Sequence, residues 1–279
     1  MRPTADICNR LVAAGNLADN EICLVDTSLI LGSIDRPSVV LDPYRRHLRS
    51  LSEEVANFLH GLEEGPELED RVGALSQILH RRYGYAGTEE AFHDPEGANL
   101  TRVIDRRCGL PVTLGILYLV TARAQGWVAD GLDFPGRFLV RLEHLGERVI
   151  IDPFAGGRVL SVGDLRDMLK AFSGNHAELK PRHYRKMSAR RILIRLQGNI
   201  RGRLLREDRL EDAVQVIETM LLFAPKEADL WREFGLLHSR LDNVADAIAA
   251  LEEYLKLGSG TDMRYGTSVL LQELRQRLN

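Results

Sequence analysis

The run Asp105-Arg-Arg-Cys-Gly-Leu-Pro-Val-Thr-Leu-Gly115 decides the fold of this chain. Its Cys-Gly-Leu-Pro turn ends at Pro111, which suits the first turn of a helix because a backbone N–H there would have no helical partner. Apolar residues then recur as far as Gly126, a residue type that commonly ends helices. The sequence therefore predicts a helix from about residue 111 to residue 126.

Two short strands are predicted after this helix. Segments 138–142 and 148–151 are rich in strand-forming residues, and segment 143–147 between them is typical of a hairpin turn. Before residue 92 the pattern is helical, with one helix at 22–31, another capped by Ser52, and a third over 68–79. This mixture predicts an α+β domain with a small antiparallel sheet.

A 34-residue repeat replaces the strand pattern after about residue 185. Ala213 and Ala247 are 34 residues apart. The second copy has residues suited to the Trp, Gly, Ala and large apolar positions of a tetratricopeptide repeat, namely Trp231, Gly235, Ala247 and Leu251. We expect an α+β domain over residues 1–185 and an all-α tetratricopeptide-like segment over 186–279, closed by a C-terminal capping helix.

Composition narrows the class of protein. The chain has 279 residues, 44% of them hydrophobic and 28% charged, as in an ordinary globular protein of about two domains. A net charge of −3 gives no general attraction to nucleic acid or membrane. Neither a membrane-spanning run nor a signal peptide is seen, so a cytoplasmic location is expected. Three scattered cysteines predict no disulfide, and we expect no metal and no cofactor.

Cys108 is a candidate nucleophile. Arg106, Arg107 and the helix that follows would stabilise a thiolate. A thiol enzyme also needs a base and a group that orients it. Asp152 could orient, but the strand after Gly136 offers Arg137, whose guanidinium stays protonated.

A structural role is the simpler interpretation of these residues. Arg137 and Asp152 lie on neighbouring predicted strands, which favours an ion pair, and Thr113 suits a local hydrogen bond in the first helical turn. His144 is nearby in sequence but lies in the predicted turn, and His93 and His176 lie in loops.

Three segments in order, 99–118, 134–141 and 151–157, resemble the SirB family, in which a transglutaminase-like domain precedes tetratricopeptide repeats. The resemblance implies a papain/transglutaminase-like core. Transglutaminases place a Cys at the start of the helix that begins here near residue 111, a His on the next strand and an Asp on the strand after it. SirB-type sequences keep the His and the Asp but lack that Cys. Here Arg137 replaces the His, Cys108 lies a few residues early, and only Asp152 carries over.

The sequence thus favours a non-catalytic protein-recognition or regulatory protein over an enzyme. We expect its protein partner on polar side chains of the first helix of each repeat: Asn199, Arg203, Arg206, Glu233 and His238. One alternative is a thiol-dependent acyl-transfer enzyme that uses Cys108. Another is a nucleic-acid-associated regulator, because segment 182–206 has eight Arg, one Lys and no acid. The simpler interpretation of that segment is an amphipathic helix with a solvated basic face.

Overall fold

The computed structural model of the chain describes residues 2–62, 65–92, 94–258 and 261–278. By compactness the chain divides into two units. Unit 1 contains residues 1–18 and 197–279, and unit 2 contains residues 19–196. The predicted boundary after residue 185 concerns independent folding, which compactness does not test, so it stays a prediction.

The helices agree with the predicted α+β class followed by helical repeats. In chain order they are α1 (Ala5–Asn16), α2 (Leu24–Ser33), α3 (Asp42–Phe58), α4 (Leu68–Leu75), α5 (Leu100–Arg106), α6 (Pro111–Ala124), α7 (Val162–Ser173), α8 (Ala189–Arg206), α9 (Leu210–Phe223), α10 (Ala228–Arg240), α11 (Val244–Leu257) and α12 (Thr261–Leu278). A π-helix, Ser76–Arg82, continues α4. Within the described ranges, no helix is long and apolar enough to cross a bilayer.

The prediction that a helix begins at Ser52 is wrong. Helix α3 begins ten residues earlier, and Ser52 lies inside it with its hydroxyl donating to the carbonyl oxygen of Leu48 at 3.2 Å. Pro43 lies in the first turn of α3, where a proline is tolerated, so the helix starts well before Ser52.

A four-stranded antiparallel sheet follows α6, in the order β1-β2-β3-β4. Its strands are β1 (Val128–Phe134), β2 (Arg137–His144), β3 (Glu147–Asp152) and β4 (Arg158–Val159). The predicted hairpin is β2 and β3, although its turn is reduced to Leu145 and Gly146, both with positive φ. Strands β1 and β4 were not predicted.

Helix α6 is the centre of unit 2. It packs against α3, β1 and β2, and eleven of its fourteen residues are buried. A Cβ atom on Gly115 of α6, or on Gly131 of β1, would overlap the ring of Phe138 on β2. These two glycines therefore let helix and sheet close around one buried aromatic ring.

Unit 1 contains the predicted repeats. Helices α9, α10, α11 and α12 pack one against the next, and α1 packs against α9. Ala247 and Leu251 are fully buried, whereas Trp231 is half-buried and donates from Nε1 to the carbonyl oxygen of Pro225 at 2.8 Å. The position of α1 could not be read from the repeat pattern, because its partner lies some two hundred residues away.

Candidate functional site

The candidate site lies where β3 ends and the loop 152–157 begins. Asp152 is 4% exposed and caps the short 3-10 turn Pro153–Ala155, with Oδ1 accepting from the backbone N–H of Phe154 at 3.0 Å. Burial raises the pKa of the Asp152 carboxyl, and the positive charge of Arg137 opposes that rise. Asp152 is therefore buried at this place, and its orienting role stays a prediction.

Arg137 fills the place expected for a catalytic base. Its Nε lies 3.7 Å from Oδ2 of Asp152, which confirms the predicted ion pair. The guanidinium carbon stacks 4.4 Å from the ring centre of Phe154 and 5.6 Å from that of Phe92. Such stacking on aromatic faces suits a guanidinium, which cannot accept a proton at this position.

Cys108 does not meet a base in the described part of the chain. Its Sγ lies 3.8 Å from the hydroxyl oxygen of Thr88, and no described imidazole is within hydrogen-bonding distance of the thiol. His144 is the last residue of β2 rather than a turn residue, and its Nε2 accepts from Arg71 at 3.2 Å. His93 lies outside the described residues.

Thr113 forms a hydrogen bond, but not the local one that was predicted within its own helical turn. It is fully buried, and its hydroxyl donates to the carbonyl oxygen of Gly97 at 2.8 Å. This bond ties the first turn of α6 to the preceding loop, so the hydroxyl is occupied at the place where a transglutaminase-like nucleophile would lie.

Sequence reasoning missed two polar aromatic residues beside Asp152, and one of them is Tyr118 of α6. It is fully buried, and within the described residues its hydroxyl has no hydrogen-bond partner. Burial and the nearby Asp152 charge raise the pKa of this hydroxyl. A Cβ atom on Gly157 would come within 3.1 Å of the hydroxyl oxygen.

The other missed residue is His80, on the π-helix. Its Nδ1 lies 3.2 Å from the carbonyl oxygen of Tyr85, so Nδ1 donates a hydrogen bond to that carbonyl. A Cβ atom on Gly156 would lie 2.8 Å from Nε2. Gly156 and Gly157 both have positive φ. Their adjacency was the sequence feature that could have indicated this close approach.

The residues predicted to bind a partner differ in exposure. Asn199 and Arg206 are exposed on α8. Arg203 pairs with Glu207 at 2.8 Å. Burial raises the pKa of the Glu233 carboxyl, which pairs with Arg201 at 2.9 Å.

His238 is placed differently from the other four. It is 8% exposed, with its ring centre 4.4 Å from that of Phe234. Its imidazole is therefore part of the packing of unit 1, and the binding role of the set stays a prediction.

The basic segment is partly neutralised by carboxylates. Arg190 pairs with Asp19 at 2.7 Å, and Arg195 donates to Asp133. With the pairs of Arg201 and Arg203, at least four of the eight arginines have an acidic partner. In the described ranges no group of three or more His, Cys, Asp or Glu residues is placed to hold a metal ion.

Comparison with known proteins identifies the class. Residues 42–198 match the model of the transglutaminase-like superfamily, and residues 200–279 match a tetratricopeptide-repeat model. The chain belongs to the transglutaminase-like superfamily.

Bacterial relatives narrow this to the SirB family, as predicted. Protein SirB1 of Salmonella typhimurium is 24% identical over 78% of this chain and 78% of its own length. A UPF0162 protein of Xylella fastidiosa is 28% identical over 87% of this chain and 86% of its own. A UPF0162 protein of Vibrio cholerae is 29% identical over 86% of this chain and 89% of its own length. A crystal structure of menin covers 91% of this chain and 70% of its own at 10% identity, with a TM-score of 0.42, too low to carry an argument.

Proposed function

We propose that this chain is a non-catalytic protein-recognition or regulatory protein built on a transglutaminase-like fold. The observation that carries the proposal is Arg137, which is stacked on Phe154 and lies against Asp152 where a base is expected. A guanidinium in that place can bind an anion or fix a loop, but it cannot take a proton from a thiol.

Three further features support the proposal. The Cys108 thiol has the Thr88 hydroxyl, not an imidazole, as its described neighbour. The Thr113 hydroxyl at the start of α6 is bonded to a backbone carbonyl. Tetratricopeptide repeats commonly present binding surfaces to other proteins. Free cysteines fit a reducing compartment, so we place this function in the cytoplasm.

The test compares activity and partner retention in the same preparations. Amide hydrolysis and amine incorporation are measured for the wild type, Cys108→Ala and Arg137→His. We expect the same background rate from all three, since Cys108 lies before α6 and not at its start, where the nucleophile of a transglutaminase is expected. Turnover by the wild type that is lost in Cys108→Ala would overturn the proposal in favour of the thiol enzyme.

Partner recognition is tested on the exposed face of α8. Arg206→Glu reverses an exposed charge there, and Lys226→Glu reverses one in the loop between α9 and α10. We expect a protein partner retained by the wild type and by Lys226→Glu to be lost from Arg206→Glu. Equal retention by both variants would exclude Arg206 from the interface.

A further inference from the structure

A cleft in unit 2 lies at the end of α5, where Arg107 precedes Cys108. It has a volume of about 450 Å³, within the range of small-ligand sites. Its lining comes from the segment that enters α3 and from the end of α5: Val39, Val40, Pro43, Tyr44, Ile104, Asp105 and Arg107. Four of these seven residues are apolar, and the other three carry a hydroxyl, a carboxylate and a guanidinium.

Arg107 is held in a fixed orientation at this cleft. Its backbone adopts the left-handed conformation, with φ 62°, as the cap of α5. Its Nη1 donates to Nε2 of His47 at 2.8 Å and also to the hydroxyl of Tyr85. The guanidinium carbon lies 4.8 Å from the ring centre of Tyr85 and 5.6 Å from that of Tyr83.

These contacts occupy one nitrogen of Arg107 and leave two. No described residue accepts a hydrogen bond from Nε or Nη2, and neither nitrogen is among the buried polar atoms without a partner, so each keeps some accessible surface. The Nε–Nη2 edge of a guanidinium matches the two oxygens of a carboxylate. Because stacking and the His47 bond already fix the side chain, little side-chain entropy is left to lose on binding.

The other polar group of the cleft is Asp105. Its Oδ2 accepts from Arg36 at 2.7 Å, and its carboxylate accepts from the Tyr44 hydroxyl at 3.1 Å. The side chain is still 43% exposed, so it has acceptor capacity for a ligand. Since Arg36 already compensates its charge, a neutral N–H donor suits this carboxylate better than a second full cation.

We propose that this cleft binds the C-terminal residue of a partner polypeptide. The terminal carboxylate pairs with Arg107, an apolar side chain lies against Val40 and Ile104, and a backbone N–H donates to Asp105. The neutral N–H requirement favours a polypeptide over a free amino acid, whose nitrogen carries a charge. The choice of a polypeptide rests on the proposed function of protein recognition.

The test uses the full chain and acetyl-Ala-Ala-Ala peptides that end in Leu, Val or Phe, each with a free or an amidated C-terminus. Binding is measured by titration calorimetry. We expect the free acids to bind and the amides to bind at least about tenfold more weakly, because the amide cannot form the charged pair. Equal affinity of acid and amide, or no binding of any acid at about millimolar concentration, would overturn the inference.

Variants locate the site. Arg107→Gln should weaken the acids at least about tenfold. Arg107→Gly removes the guanidinium at a backbone conformation that glycine accepts readily, so it separates binding from folding. Arg106→Gln is the matched control, because Arg106 is the adjacent residue and its guanidinium pairs with Asp94. Unchanged affinity in both Arg107 variants would contradict the assignment.

Two further measurements distinguish failure of the cleft assignment from failure of the proposed function. Free leucine should bind more weakly than the peptides, and equal binding would overturn the polypeptide assignment. Mass spectrometry of the same samples detects any hydrolysis of the amidated peptides. Hydrolysis would overturn the proposed non-catalytic function, whereas loss of acid selectivity would overturn the cleft assignment alone.

Discussion

The guanidinium of Arg137 covers the carboxylate of Asp152, with Nε and Oδ2 3.7 Å apart and the two side chains 25% and 6% exposed. The pair joins β2 to the end of β3, and it compensates a carboxylate that burial would otherwise favour as neutral. Its stability contribution therefore depends on which partner is removed and on pH.

Arg137→Met should destabilise the protein by about 1–3 kcal/mol at pH 7, because it leaves a buried carboxylate without compensation while the pair is only partly buried. Urea unfolding measures the loss. Arg148→Met on β3 is the control, since Arg148 is 66% exposed, and it should change stability by less than about 0.5 kcal/mol. Equal losses in both variants would contradict the importance of the buried pair.

The loss in Arg137→Met should shrink in acid. Burial holds the folded-state pKa of Asp152 above its ordinary 3.8, so the resulting stability is present below 3.8 and disappears as pH rises through the folded-state pKa. Without Arg137 that pKa rises further, which widens the difference at neutral pH. A difference that grows between pH 7 and pH 4 would contradict this sign.

His47 should make the wild type less stable in weak acid. Burial and the charge of Arg107 lower its folded-state pKa below the ordinary 6.5. Its contribution is therefore intact above pH 6.5 and is lost as pH falls through the lower, folded-state pKa. The free energy of unfolding between pH 7 and pH 5 should fall less steeply in His47→Gln. Some slope should remain, because burial also lowers the pKa of His183. An unchanged slope would contradict the role of His47.

Gly235→Ala should destabilise unit 1 by about 1–3 kcal/mol, because the added methyl would lie 2.7 Å from Leu251 and 3.2 Å from the carbonyl oxygen of Ala247. Gly202→Ala in α8 is the matched control, with only the end of Arg206 nearby at 3.8 Å. It should gain about 0.5–1 kcal/mol of helix propensity. Thermal unfolding followed by circular dichroism should show opposite shifts.

A fragment of residues 19–198 should fold better than a fragment of residues 1–187. The fragment 1–187 ends before Ile192, Leu193 and Leu196, which are fully buried in the whole chain. It also keeps α1 without α9, so that Leu11 loses its covering. Size-exclusion chromatography and cooperative melting compare the two fragments. If only the fragment 1–187 melts cooperatively, the result would instead support the domain boundary predicted at residue 185.

The sequence predicted what local patterns encode. Pro111 gave the start of α6, and residues on either side of Gly146 gave the hairpin. Strand β1 was missed because Asp130, Gly131 and Asp133 interrupt its apolar pattern, and its register depends on pairing with β2.

The candidate site was predicted in part for the same reason. Arg137 and Asp152 could be paired from neighbouring strands, whereas His80 and Tyr118 reach the loop at Gly156 and Gly157 from distant helices. Contacts of that kind have no local periodicity to read.

The packing of α1 on α9 has a consequence for synthesis on the ribosome. Residues 5–16 are synthesised roughly 200 residues before their partner at 210–223. At elongation rates of about 5–20 residues per second, the wait is roughly 10–40 s. During that interval the apolar face of α1, with Ile7 and Leu11, is available to chaperones. The residues of unit 2 can therefore fold before α1 packs against α9.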